Sequence, residues 1–89
     1  MKLLKSGFVT SAAEDSGVFA GWQVELCHDP ANTKGYFLFY ANPDKSVGYD
    51  DWFLNEDDAH YQLKCDQISV EWQDIDPSAK PTLTNLETK

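Results

Sequence analysis

The chain has 89 residues, of which 42% are hydrophobic and 13% aromatic, so it can form one globular domain with a modest core. It has 15 acidic residues against seven basic ones, all of them lysine, and its formal net charge is −8. Because nucleic acids and anionic membranes attract positive charge, this balance excludes both as favourable partners and favours basic proteins or cations.

The N-terminal segment, 1–11, combines two lysines with a few apolar residues but lacks the apolar stretch of a secretion signal. No apolar run in the chain approaches the length of a membrane span. We therefore expect a cytoplasmic protein in which Cys27 and Cys65 are reduced thiols, and the sequence leaves a disulfide between them open. The same segment predicts a first strand through Phe8 and Val9.

The segment FAGWQVELCH, 19–28, alternates between apolar and polar residues, which predicts a half-buried strand. The turn residues of DPANTKG, 29–35, separate it from the next predicted strand, YFLFYA, 36–41, which has apolar groups on both faces. In the first of these strands one face carries Trp22, Val24 and Leu26, and the other carries Gln23, Glu25 and Cys27.

A helix is predicted from Glu56, because Asn55 is a favourable N-cap and three acidic residues fill the first turn. Ala59 and Leu63 lie four residues apart and are expected to face the core, with Lys64 near the C-terminal end. The acidic cluster at the start of this helix is therefore interpreted as capping chemistry.

The segment QISVEWQ, 67–73, alternates again and predicts a closing strand with Ile68, Val70 and Trp72 facing the core. The following residues contain two prolines and no periodicity, so we expect 76–89 to be a flexible C-terminal tail.

The predicted fold class is α+β. Residues 1–75 form a single domain, a three- or four-stranded antiparallel sheet with one short helix packed on one face.

The sequence contains no motif that predicts catalysis. Cys27, His28 and Asp29 are consecutive, but neighbours on a strand point to opposite faces, so they do not predict a nucleophile and its base. Zinc spacing, a glycine-rich phosphate loop and a nucleophile elbow are all missing from the sequence. We therefore predict a protein that is not an enzyme and has no cofactor.

The loop after YFLFYA is a candidate calcium site, because oxygen-bearing residues alternate along it. An EF-hand loop counted from Asn42 requires glycine at its sixth position and glutamate at its twelfth, where this chain has Val47 and Phe53. The sequence therefore predicts no EF-hand. The oxygen-bearing residues are Asn42, Asp44, Ser46 and Asp50.

The predicted strand YFLFYA has two apolar faces, and a single helix covers only one of them. We expect Phe37 and Phe39 to face the core and the alternate residues to form an exposed aromatic stripe rimmed by acidic residues. The pattern alone does not decide between the two faces, since both bury aromatic rings. The predicted partner-binding residues are Glu25, Tyr36, Leu38, Tyr40, Asp50, Asp51 and Trp52.

The chain resembles the small acidic immunity-type proteins of bacteria in the order of its segments. These are GWQVEL (21–26), GYFLFYA (35–41), DDWF (50–53), a helix that begins with acidic residues, and ISVEW (68–72). It is also similar to the short uncharacterised proteins encoded in bacterial mobile gene cassettes. The resemblance covers residues 18–73 as a general pattern. It implies an inhibitor that covers the active site of a toxin, often a basic nuclease.

Two hypotheses follow. In the first, the chain is a protein-binding module, such as an immunity-type inhibitor of a basic toxin or nuclease, or a homodimer that uses the same surface. In the second, it binds a small ligand or a divalent cation between the loop 42–51 and the start of the helix.

Overall fold

The computed structural model describes residues 1–84, in which five strands form one antiparallel sheet and a ten-residue helix crosses one of its faces. The spatial order of the strands is β4-β3-β2-β1-β5. In chain order the elements are β1 (Lys2–Ser11), a short 3-10 turn (Glu14–Ser16), β2 (Gln23–His28), β3 (Tyr36–Ala41), β4 (Gly48–Phe53), α1 (Glu56–Cys65) and β5 (Ser69–Gln73).

The first four strands form a meander, because short connections return each strand beside the one before it. The chain then crosses the sheet through α1 and adds β5 at the opposite edge, antiparallel to β1. This α-helix, the only one in residues 1–84, is neither long nor apolar enough to cross a membrane.

The predicted α+β class, with its antiparallel sheet, is confirmed, but the sheet has five strands within the described residues, where three or four were expected. The additional strand is β4, whose first residues we had placed at the end of the loop 42–51. Its glycine and paired aspartates are poor strand formers. It is an edge strand, where charged residues discourage pairing with other chains.

The predicted start of α1 is confirmed at atomic detail. The Asn55 Oδ1 atom accepts a hydrogen bond of 2.8 Å from the Asp58 backbone N–H, as an N-cap does. Ala59 and Leu63 are the buried residues of the helix, as their spacing predicted.

The helix packs on the face of β3 that we had expected to be exposed. In the antiparallel register Leu26 pairs with Leu38 and Val24 pairs with Tyr40, so these side chains share the face under α1. Leu38 has no exposed surface, and Tyr40 is 3% exposed. Tyr36 is half-buried against the same core. The predicted outward orientation of Tyr36, Leu38 and Tyr40 is therefore wrong.

The opposite face of the sheet is covered by residues 75–84, which we call the C-terminal strap. Ile75, Ala79 and Leu83 pack against this face. The expected flexible tail, 76–89, is therefore corrected over 76–84, where the chain packs on the sheet, and 85–89 lie outside the described residues. The strap completes a second core cluster whose buried members are Leu3, Cys27, Phe39, Ala41 and Leu83.

Glu25 anchors the strap. Its Oε1 atom accepts hydrogen bonds of 2.9 Å from the backbone N–H groups of Thr82 and Leu83, and its Oε2 atom accepts one of 2.8 Å from the Thr82 hydroxyl. Because a buried carboxylate is tolerated only when donors surround it, these contacts explain how Glu25 can be 1% exposed. Its predicted place on an exposed binding surface is therefore wrong.

Candidate functional site

The seven residues predicted to bind a partner do not form one surface. Tyr36, Leu38, Tyr40 and Asp51 lie on the helix side of the sheet. Glu25, Asp50 and Trp52 are on the strap side, because Asp50 pairs with Phe39 and Trp52 pairs with Phe37. Leu38, Tyr40 and Glu25 are buried, whereas the two aspartates and Trp52 are exposed.

Trp52 is held against the connection between β2 and β3. Its Nε1–H donates a hydrogen bond of 2.9 Å to the Thr33 hydroxyl oxygen, and the indole ring lies directly over Gly35. A Cβ atom added to Gly35 would lie 2.2 Å from the ring, so only glycine leaves room for it. Trp52 therefore packs as part of the turn, although it keeps an exposed face.

The loop considered as a cation site uses its oxygens for its own turn. The Asn42 side chain donates to Ser46 Oγ at 2.9 Å and accepts from the Val47 backbone N–H at 3.0 Å. The Ser46 backbone N–H donates to Asp44 Oδ1 at 3.0 Å. Across residues 1–84 there is no group of three or more histidine, cysteine, aspartate or glutamate side chains arranged to hold a metal.

A cleft of about 360 Å³ opens at the C-terminal end of α1, where the β1–β2 connection meets β4. The Ala13 backbone N–H donates to the Asp66 carbonyl oxygen at 3.3 Å, which ties that connection to the helix end. Gly17 allows the connection to turn, since its φ of 81° favours glycine. The cleft is lined by Ser16, Gly17, Val18, Tyr40, Gly48, Tyr49, Asp50, Asp51, Asp66 and Ile68.

Three polar groups give the cleft its chemical character: the Tyr40 hydroxyl and the carboxylates of Asp51 and Asp66. Partial desolvation, together with the charges of Asp50 and Asp66, raises the pKa of Asp51 above its ordinary value. Burial and the charges of Asp51 and Asp66 also raise the pKa of Tyr40, so its hydroxyl keeps its proton. The cleft is therefore a concentration of negative potential that favours a cation.

An aromatic cluster borders the cleft. The Tyr49 ring stacks on buried Trp22 at a centroid distance of 5.7 Å, and the centroid of the Phe19 ring lies 6.0 Å from that of Trp22. Tyr49 is 49% exposed and Phe19 is 58% exposed, so the cluster presents two aromatic rings to solvent. Neither was predicted from the sequence, because no local pattern indicates that the β1–β2 connection meets β4.

The consecutive residues Cys27, His28 and Asp29 are separated in space, as alternation on the strand predicted. Cys27 is buried under the strap, where desolvation and the charge of Glu25 raise its pKa to about 12. His28 stacks on Tyr36 with centroids 4.4 Å apart. The Asp29 carboxylate accepts bonds from the Thr33 backbone and hydroxyl, both 3.2 Å. Both cysteines of the chain are free thiols.

A second groove, of about 450 Å³, lies between α1 and β5 and is bordered by His60 and Trp72. His60 contacts Glu56 at 3.1 Å, and Glu56 also contacts Lys5 at 3.8 Å, whereas Lys64 forms no salt bridge within residues 1–84. Lys5 also lies 5.7 Å from the centroid of the Trp72 ring. These contacts tie β1 to the helix, and the groove presents no unpaired cluster comparable to the cleft.

Comparison with models of known protein families, with curated proteins and with solved structures found no match to this chain.

Proposed function

We propose that this chain is a protein-binding module for a basic partner, and that it acts through the aromatic cluster and the carboxylates beside it. We call this the acidic-aromatic surface and define it by Phe19, Tyr49, Asp51 and Asp66. In an immunity-type setting the partner is a basic toxin or nuclease, and the mechanism is occlusion of the toxin's active site.

The single observation that carries the proposal is the exposure of two aromatic rings at the edge of an acidic cleft. Phe19 and Tyr49 both lose contact with water if a partner covers them, while Trp22 supports them from below. Aromatic residues that are exposed but held by buried neighbours make favourable interface anchors, since little side-chain freedom is lost on binding.

The charges of the surface support a basic partner. In residues 1–84, Asp51 and Asp66 form no salt bridge, whereas Glu56 is paired with Lys5 and His60. The whole chain carries a formal net charge of −8, so its field attracts cationic proteins at long range. Self-association through this surface is disfavoured, because it would bring like charges together.

The test places a photo-reactive phenylalanine analogue at Phe19 and, as a matched control, at Tyr61. Tyr61 is also an exposed aromatic residue, but it lies on the helix, away from the cleft. Proteins crosslinked in bacterial cells are identified by mass spectrometry, purified and titrated against the wild-type chain and against the double variant Phe19→Ala/Tyr49→Ala.

We expect a basic protein to be crosslinked at Phe19 in preference to Tyr61, and to bind the purified double variant at least about tenfold more weakly. Crosslinking of the chain to itself would instead identify a homodimer. Equal labelling from both positions, or full affinity of the double variant, would contradict the proposal.

A further inference from the structure

The Tyr40 hydroxyl is the first polar group of the cleft with unused hydrogen-bonding capacity. Within the described part of the chain it makes no hydrogen bond, although Tyr40 is 3% exposed. No fully enclosed side-chain oxygen or nitrogen in residues 1–84 lacks a partner, so the hydroxyl must reach the open space of the cleft. Because the rest of Tyr40 is enclosed, its hydroxyl faces only the cleft, where water or a ligand group supplies its hydrogen bond.

The carboxylates beside it also have unused capacity. Asp66 accepts one bond of 3.0 Å from the Gln62 side chain, at Oδ2, which leaves Oδ1 without a donor in residues 1–84. Asp51 accepts no side-chain or backbone hydrogen bond in this region, and its charge is opposed by Asp50 and Asp66. A donor that carries positive charge would satisfy the free oxygens and remove the repulsion.

The shape and lining of the cleft favour an organic cation over a metal ion. Its residues do not provide three or more acidic, histidine or cysteine ligands in metal-binding geometry within the described residues. Val18, Ile68 and the Tyr49 ring give it apolar and aromatic walls, which suit an alkyl stem and a flat cationic head. A guanidinium is planar, stacks on aromatic rings and presents five N–H donors, whereas an ammonium is a compact, strongly hydrated charge.

We propose that the cleft binds an arginine side chain of the basic partner. Its guanidinium donates to Asp51 and Asp66 and to the Tyr40 hydroxyl oxygen, and its methylene stem lies along Val18 and Ile68. This inference rests on the proposed function, because the arginine is supplied by the partner. The aromatic rings at the rim then cover the surface around the inserted side chain.

The test uses N-acetyl-arginine N-methylamide as the probe and follows the amide signals of the full chain by NMR at low salt and pH 7. We expect saturable shifts at Gly17, Tyr49 and Asp66, with a dissociation constant of roughly 1–10 mM for so small a ligand. The neutral citrulline derivative, which has the same shape without the charge, is expected to give no saturable shifts. The lysine derivative is expected to bind at least about threefold more weakly.

Three single variants locate the site. Tyr40→Phe removes only an oxygen that folding does not use, and Asp51→Asn removes one charge without changing the size of the side chain. Each is expected to weaken arginine binding by about fivefold or more, the loss typical of one polar contact to a charged group. Asp57→Asn, in the first turn of the helix, makes the same charge change outside the cleft and is expected to bind within about twofold of wild type.

The inference is overturned if the arginine derivative gives no saturable shifts, or if the citrulline derivative binds equally well. Equal binding of the lysine derivative would remove the assignment to arginine. Full binding by Tyr40→Phe and Asp51→Asn would place the cation elsewhere. Failure here is distinguishable from failure of the proposed function, because Phe19 does not line the cleft, so the single variant Phe19→Ala tests partner binding without altering the arginine site.

Discussion

Two carboxylates on opposite faces of the sheet show how environment separates a structural role from a binding role. Glu25 is enclosed and accepts hydrogen bonds from two backbone N–H groups and a hydroxyl, so its negative charge is used within the fold. Asp51 has no donor in residues 1–84 and lies close to two other carboxylates. Glu25 therefore stabilises the native state, whereas the charge of Asp51 lowers its stability, and a bound cation would relieve that repulsion.

At the residue scale, Glu25→Gln tests the anchoring of the strap. The amide keeps the shape but replaces one acceptor oxygen with an NH₂ group that faces N–H and O–H donors. We expect the free energy of unfolding to fall by about 2 kcal/mol, the range for hydrogen bonds to a buried charged group. Urea unfolding provides the measurement. Glu71→Gln, the same change on the exposed face of β5, is expected to shift stability by less than about 0.5 kcal/mol.

Asp51→Asn is expected to stabilise the chain at neutral pH. The pKa of Asp51 is raised in the folded state, so the folded protein binds this proton more tightly than the unfolded one. The resulting stabilisation is present below the ordinary pKa of 3.8 and is lost as the pH rises through the folded-state pKa. The variant should therefore melt above wild type at pH 7, with the difference shrinking towards pH 3.

Asp57→Asn is the matched control for this measurement, since it removes one negative charge from the first turn of the helix, where negative charge is favourable. It should give no comparable gain at pH 7. A lower melting temperature for Asp51→Asn at pH 7 would show that Asp51 supports the fold. In that case its charge would not be held for a ligand.

At the element scale, β4 depends on the turn between β2 and β3. Gly35→Ala places a Cβ atom 2.2 Å from the Trp52 ring, so the indole must move and its hydrogen bond to Thr33 must lengthen or break. We expect a loss of roughly 1–3 kcal/mol of stability, as for other insertions into packed sites, and a shift of the Trp52 indole N–H signal in NMR spectra.

The same substitution in a Trp52→Ala background separates this contact from other effects of alanine. The three atoms nearest to the added methyl group all belong to the Trp52 ring, so Gly35→Ala should cost less without that ring. Equal losses in both backgrounds would show that the contact with Trp52 is not the cause.

The C-terminal strap acts as the second cover of the sheet. Truncation after Lys80 removes Thr82 and Leu83, and so uncovers Cys27 and leaves Glu25 without its donors. In a Cys65→Ser background we expect Cys27 to be unreactive towards iodoacetamide at pH 8 in the full chain, because it is buried and its pKa is raised to about 12. The truncated chain should be alkylated at least about tenfold faster.

A chain truncated after Thr84 keeps Leu83 packed on the sheet and the hydrogen bonds to Glu25, so it is the control for shortening the C-terminus. Circular dichroism confirms that each truncated chain retains its sheet and helix before the alkylation is measured. If Cys27 stays protected in a folded chain truncated after Lys80, the strap is not what covers it.

At the scale of the whole molecule, the formal net charge of −8 affects association more than folding. For the basic partner identified by crosslinking, we expect the association rate to fall about tenfold between 20 and 500 mM NaCl, since screening removes long-range attraction. Stopped-flow mixing measures this rate. The dissociation rate should change much less, and an association rate independent of salt would argue against electrostatic steering.

Local features of the fold were the ones that could be predicted. The start of α1 depends on Asn55 and the three acids after it, and the burial of Val24 and Leu26 follows from alternation within β2. Strand β4 was missed because Tyr49–Trp52 includes two aspartates. It forms because β3 supplies a complete antiparallel partner.

The candidate site was less predictable. Asp51 and Tyr40 were both selected from the sequence, but for a different surface, and Phe19, Tyr49 and Asp66 were not selected. The residues come from the β1–β2 connection, from β3 and β4, and from the end of α1, and they meet because these parts lie at one end of the sheet. No periodicity within a segment carries that information.

By itself the sequence determined the α+β class, the capped helix, the alternating strands and the acidic charge, because these depend on neighbouring residues and on composition. Only the tertiary structure decided which face of β3 lies under the helix, because both faces of that strand are apolar. It also decided that 76–84 pack on the sheet. Buried Leu83 and the hydrogen bonds to Glu25 hold this segment, and neither produces a repeating pattern in the sequence. Long-range contacts select among alternatives that local chemistry leaves equal in energy.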